Sequence, residues 1–118
     1  MARCPACVTE PVRPGTIVVA KPDPVVVGRE QTERRPVLVV SAAEFSDLVP
    51  DLVFAVPLTT RDRGLPHHIP VSGLAQPSWA LCEQLRAVSS ARLGKILGRA
   101  QPGTLSEVRR VLAVFLDL

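Results

Sequence analysis

Apolar residues run along this chain in short blocks cut off by polar ones, and the blocks read mostly as strands. Thr16 to Ala20 is rich in β-branched residues and is stopped by Lys21-Pro22-Asp23-Pro24, since proline cannot serve a central ladder. The most polar window follows, with Arg29, Glu30, Gln31, Thr32, Glu33, Arg34 and Arg35 in succession before Pro36; a solvated hairpin loop is predicted there. Val37-Leu38-Val39-Val40 is continuously apolar and too short for a helix, which predicts a strand buried on both faces. Ala42 to Leu48 suits a helical turn before Pro50. A second buried strand, Leu52 to Leu58, ends in Thr59-Thr60-Arg61-Asp62-Arg63-Gly64, where apolar sequence gives way to hydroxyls, charge and a turn residue. His67 to Val71 and Trp79 to Leu85 are further strand candidates around a loop from Ser72 to Ser78, and Ile96 to Arg99 is a short last one.

Helical patterning is confined to the second half. Ser89 or Ser90 can cap a turn through Ala91-Arg92-Leu93, with Gly94 to end it. A clear helix is expected from Leu105 to about Leu116, with Thr104 as N-cap and Glu107 three residues on in the capping-box arrangement. Leu105, Val108, Leu112 and Phe115 form its apolar stripe, and Arg109 and Arg110 lie off it. Short strands, brief connections and a late helix predict an α+β fold with a mainly antiparallel sheet. Met1 to Val12 has two prolines and no periodicity, so it reads as a flexible leader before a single domain over residues 13–118.

With 118 residues and 47% hydrophobic content, the chain has room for one core. Its longest apolar runs fall far short of the roughly 20 residues of a membrane helix, and the N-terminus lacks a signal-peptide pattern. A soluble, cytoplasmic, unprocessed protein is expected. A formal charge of +3 is too mild to point to a polyanion. The kind of cation says more: Lys21 and Lys95 are the two lysines, so 12 of the 14 basic residues are arginines, forks that grip phosphate bidentately. A GC-rich genome would produce the same bias. Aromatics at 3% argue against a binding face built on stacked bases.

The three cysteines make no disulfide framework. Cys4-Pro5-Ala6-Cys7 has half the spacing of a zinc knuckle, with only Cys82, His67 and His68 left as further ligands. His67 and His68 are adjacent, so on a strand they would point to opposite faces and could not reach one ion; no metal or other cofactor is expected. Cys82, within Ala80-Leu81-Cys82, reads as a buried structural thiol. Glu30 and Glu33, flanked by arginines, read as solvated. P-loop, GxGxxG, HExxH and GxSxG signatures are missing, which removes several large enzyme classes. A chemistry that needs Arg, a hydroxyl and little else is cleavage of RNA by its own 2′-hydroxyl, where the protein positions the phosphate and stabilises its developing charge.

The series Asp23-Pro24-Val25-Val26-Val27-Gly28-Arg29-Glu30-Gln31, Arg34-Arg35-Pro36-Val37-Leu38-Val39-Val40-Ser41, Val56-Pro57-Leu58-Thr59-Thr60-Arg61 and Leu81-Cys82-Glu83-Gln84-Leu85-Arg86 closely resembles the MazF/PemK toxins of bacterial type II toxin–antitoxin systems. The likeness continues through Ile96-Leu97-Gly98-Arg99 and the terminal helix. It implies an SH3-like barrel, a homodimer, a cognate antitoxin and a metal-independent endoribonuclease that cuts single-stranded mRNA at short motifs, leaving a 2′,3′-cyclic phosphate and a 5′-hydroxyl. Carried over by position, Arg35 and Thr59 are the implied catalytic pair. Arg29, Glu30, Gln31, Arg61, Glu83, Gln84 and Arg86 are the implied substrate-binding residues, with Glu83, Gln84 and Arg86 on the segment that lines the RNA groove. The plainer alternatives are that Arg35 pairs with Glu30 or Glu33, that Thr59 caps a turn, and that Glu83 and Arg86 form a surface ion pair.

Two departures stand out. Arg13-Pro14-Gly15-Thr16 replaces the family's Arg-Gly-Asp-like turn, and Thr32-Glu33 stands where a glycine pair is common. Both predict altered sequence preference or weaker activity on an unchanged fold. The altered Arg13–Thr16 turn also keeps open a catalytically degenerate binding module of the same fold; a CcdB-like gyrase-poisoning toxin, of the same barrel class, is the other rival, against which the Arg-Pro loop and the Pro-Leu-Thr strand end favour the nuclease.

Overall fold

The computed structural model describes residues 12–21 and 34–118. Seven strands and two helices follow in the order β1 (Thr16–Ala20), β2 (Arg35–Val39), α1 (Ala43–Leu48), β3 (Leu52–Thr59), β4 (His68–Val71), β5 (Ser78–Leu81), β6 (Arg86–Ser89), β7 (Leu93–Arg99) and α2 (Pro102–Leu116). Single 3₁₀ turns at Cys82–Gln84 and Ser90–Arg92 join β5 to β6 and β6 to β7. The strands form one sheet in the order β4-β5-β3-β2-β1-β7, with β6 also on β3, and every pairing is antiparallel. The expected antiparallel α+β fold with a C-terminal helix is present; among the described residues the sheet stays open, with β4 and β7 as its ends.

The continuous apolar runs are explained by burial on both faces. Ile17, Leu38, Val40, Val56 and Leu58 face one core, closed by Val108, Val111 and Leu112 of α2. Val18, Val37, Val39, Val53, Ala55 and Val88 face a second, on which Val12 and Leu93 also pack. Neighbours along a strand point to opposite faces, so a strand with a core on each side needs apolar residues at every position.

The stretch predicted as one strand from Trp79 to Leu85 is broken. β5 pairs Ala80 with Leu58, whereas β6 pairs Arg86 with Ala55, so the five residues between these pairs on this edge face two on β3. The three extra residues are the Cys82–Gln84 turn, which lifts Glu83 out of the ladder. Before β1, Gly15 sits at φ 90°, where a side chain is strained, and its N–H donates to the Val39 carbonyl at 2.7 Å.

α2 begins earlier than the capping pattern predicts. Gln101 occupies the N-cap and Pro102 the first turn, where a missing N–H costs nothing, so Thr104 lies inside the helix. The stripe is rotated as well: Val108, Val111 and Leu112 are buried, while Phe115 is 48% exposed. Gly94 ends no turn; it lies within β7, which starts at Leu93, and the preceding turn is capped by Ser89 Oγ accepting from the Ala91 N–H at 3.3 Å. Arg109 Nη2 donates to the Val40 carbonyl at 3.1 Å, tying α2 to the end of β2. Among the described residues no helix is long and apolar enough to cross a membrane. The polar window's residues 28–33 and the leader's residues 1–11, with Cys4 and Cys7, lie outside the described residues.

Candidate functional site

Strand register assembles a row across one end of the sheet that carries Arg35 and Thr59. Val37 pairs with Pro57, and continuing that antiparallel register by two residues sets Arg35 across from Thr59. On its other side Arg35 pairs with Ala20, and Thr59 pairs with Trp79, which in turn pairs with Pro70. Arg35 lies two positions before Val37 and Thr59 two positions after Pro57, so both belong to the face of the second core, at its margin. Arg35 is exposed and Thr59 half-buried. Arg86 starts β6 opposite Ala55, on the same face.

Thr59 Oγ1 accepts the Arg61 N–H at 3.2 Å, so the hydroxyl does brace a turn. That bond uses an acceptor lone pair and leaves the O–H free to donate. Arg61 itself is exposed in the loop after β3. Beyond Trp79 the row opens on a cleft of about 410 Å³ under the β4–β5 loop, lined by Pro70, Leu74, Gln76, Pro77 and Trp79 among others. Arg29, Glu30 and Gln31 lie outside the described residues, as do Glu30 and Glu33 as partners for Arg35.

Glu83 is held by two histidines. Its carboxylate accepts from His68 Nε2 at 3.0 and 3.1 Å, and His67 Nε2 lies 3.4 Å from Oε1. The expectation that these histidines point apart is overturned: β4 begins at His68, so His67 precedes the pleat and its ring turns to the same side. The two rings meet edge to face at 4.7 Å, and Phe115 of α2 packs against His67 at 5.7 Å. Burial works against ionisation of Glu83, but the His68 hydrogen bond, backbone hydrogen bonding and the potential of both imidazoles outweigh it and hold its pKa below the usual Glu value. Next to it, Cys82 is buried as expected, and burial, reinforced by the Glu83 charge, pushes its thiol up to about 11. It is therefore protonated and inert at neutral pH. Gln84 completes the 3₁₀ turn, half-buried.

No local pattern could have joined the histidines to Glu83. The pairing depends on the β4–β5 hairpin, which sets His68 opposite Leu81 and so beside the turn that lifts Glu83 out.

An open antiparallel sheet with a C-terminal helix against one face is the fold of the MazF toxins. MazF from Deinococcus radiodurans, solved with MazE, superposes with a TM-score of 0.79 at 29% identity over 93% of this chain and 99% of that one. The Mycobacterium tuberculosis toxin MazF-mt6 gives 0.68 at 26% identity over 87% and 97%. An endoribonuclease from a mycobacterial species shares the fold at 0.71 and 23% identity, over 92% and 94%. The family model for PemK-like, MazF-like toxins of type II toxin–antitoxin systems matches residues 13–116, and the chain belongs to that family.

Proposed function

We propose that this chain is the RNA-cleaving toxin of its toxin–antitoxin pair: a metal-independent, sequence-selective endoribonuclease acting on single-stranded mRNA, with Arg35 and Thr59 as its catalytic residues. The observation that supports this reading is the β2–β3 register, whose last pair Val37–Pro57, continued by two residues, aligns the planar Arg35 cation with the Thr59 hydroxyl. In the reaction the 2′-oxygen attacks phosphorus and loses its proton, the bond from phosphorus to the 5′-oxygen breaks, and that oxygen takes up a proton. The products are a 2′,3′-cyclic phosphate and a 5′-hydroxyl. The Arg35 fork suits the charge that builds on the non-bridging oxygens, and the Thr59 O–H can donate to one of them.

Arg86 lies on the same face as this pair and supplies further positive charge for the backbone. Arg61, Glu83 and Gln84 complete the described binding residues, and Arg29, Glu30 and Gln31, outside the described residues, are assigned with them. The active form is a homodimer, with a groove shared between two small subunits, and a cognate antitoxin silences it by covering that groove. The Deinococcus radiodurans neighbour, solved as a MazE–MazF complex, supports the antitoxin partnership.

The test is to incubate the purified protein with a long RNA in chelator, map the cut ends, and repeat with Arg35→Ala and Thr59→Ala. Cleavage with 2′,3′-cyclic phosphate ends, lost in both variants, is expected. No cleavage by the folded parent overturns the nuclease reading, and undiminished cleavage in both variants overturns the site.

A further inference from the structure

The chain has only two histidines, and both direct Nε2 at the same carboxylate. One ligand atom from each of His67, His68 and Glu83 lies within 4.8 Å of the others. The closest approaches are 3.4 Å from His67 Nε2 to Oε1 and 3.0 Å from His68 Nε2 to Oε2. Donors about 2.0–2.1 Å from a tetrahedral zinc are separated by roughly 3.3 Å, and both imidazole nitrogens lie near that spacing from one oxygen, Glu83 Oε1, at 3.4 Å for His67 and 3.1 Å for His68. His68 explains one hydrogen bond to Glu83 on its own terms; His67, at 3.4 Å, adds a second imidazole that the hydrogen-bonding of Glu83 does not require.

We infer that His67, His68 and Glu83 form a three-ligand site for a borderline divalent metal such as Zn²⁺, with its fourth position open to solvent. Two imidazoles and one carboxylate suit zinc, cobalt or nickel, whereas magnesium and calcium favour all-oxygen shells. The site has a rigid side and an accessible side: the His68 side chain is 2% exposed, against 28% for His67 and 39% for Glu83. The buried His68 Nδ1 has no hydrogen-bond partner, so the outer bond that usually strengthens a metal-bound imidazole is missing. That makes the site exchangeable and regulatory in kind. Metal would tie up the Glu83 carboxylate, one of the residues assigned to RNA above, so RNA cleavage should fall as zinc is added; this consequence alone rests on the function proposed above.

Binding is read without RNA, on tag-free protein carrying Cys4→Ser and Cys7→Ser so that the leader thiols cannot contribute. Calorimetric titration with Zn²⁺ is expected to saturate at one equivalent per chain, and Mg²⁺ to give no heat. A Co²⁺ titration should produce visible tetrahedral bands without a thiolate charge-transfer band. His67→Ala, at the more exposed imidazole, and Glu83→Ala should each weaken binding by more than about tenfold, with circular dichroism confirming the fold. Absence of saturable binding, or affinity undiminished in folded His67→Ala, overturns the site. Cleavage in chelator tests the nuclease reading separately, so either can fail without the other.

Discussion

His68 Nε2 donates to both carboxylate oxygens of Glu83, at 3.0 and 3.1 Å, across 15 residues of sequence. The bond fastens the start of β4 to the 3₁₀ turn that interrupts the edge of β3. Removing the carboxylate strands a buried imidazole donor, so Glu83→Ala should lose about 1–3 kcal/mol of stability. Glu83→Gln, whose amide oxygen still accepts, should lose less. Urea unfolding of the three proteins measures the order, and Glu83→Ala equal to the parent would show that the bond contributes nothing.

Conservative variants of the Arg35–Thr59 pair discriminate between charge and geometry. Thr59→Ser keeps the hydroxyl and should retain most activity, whereas Thr59→Ala should lower kcat/KM by about 10²-fold or more, the usual effect of deleting one transition-state donor. Arg35→Lys keeps the charge but loses the fork, and should fall well below the parent. A fluorogenic oligoribonucleotide assay reads all three. Thr59→Ser as inactive as Thr59→Ala would point to packing of the γ-methyl group and against a role for the hydroxyl.

Two neighbouring arginines on α2 should behave differently. Arg109→Ala deprives the Val40 carbonyl of its partner and should cost about 0.5–1.5 kcal/mol. Arg110 pairs with Glu107 on the open surface, so Arg110→Ala should leave the melting temperature unchanged. Thermal unfolding compares them directly, and an equal shift in both would remove the special role of the α2-to-β2 tie.

The Cys82 thiol, 1% exposed and shifted up to about 11, should resist a thiol reagent at pH 8 in protein carrying Cys4→Ser and Cys7→Ser. It should react fully once the chain is unfolded in guanidinium. Labelling of the folded protein at the rate of a free thiol would mean that this part of the core opens readily.

Strands with strong local signals were legible from the chain alone. β1 coincides with the β-branched run Thr16–Ala20, and β3 extends the apolar run from Leu52 by only Thr59. Arg35 and Thr59 were recognisable as candidates by their places at strand ends within a familiar series of motifs. Local rules failed where a neighbour decided the outcome. The alternation rule sent His67 and His68 to opposite faces, but the strand starts one residue later than that rule assumed. The capping box pointed to Thr104, but Pro102 is itself suited to the first helical turn and starts α2 earlier.

Buried strands at β2 and β3, a cation and a hydroxyl at their ends and a late helix are legible in the chain alone, because these are nearest-neighbour properties of side-chain volume, branching and polarity. Which segments come side by side is a matter of strand pairing. The β2–β3 register, continued two residues past its last pair Val37–Pro57, aligns Arg35 with Thr59, and the three-residue excursion between β5 and β6 carries Glu83 to His68. Register and bulges are fixed by pairing between distant segments and by which face each must bury, information that no single stretch of the chain contains.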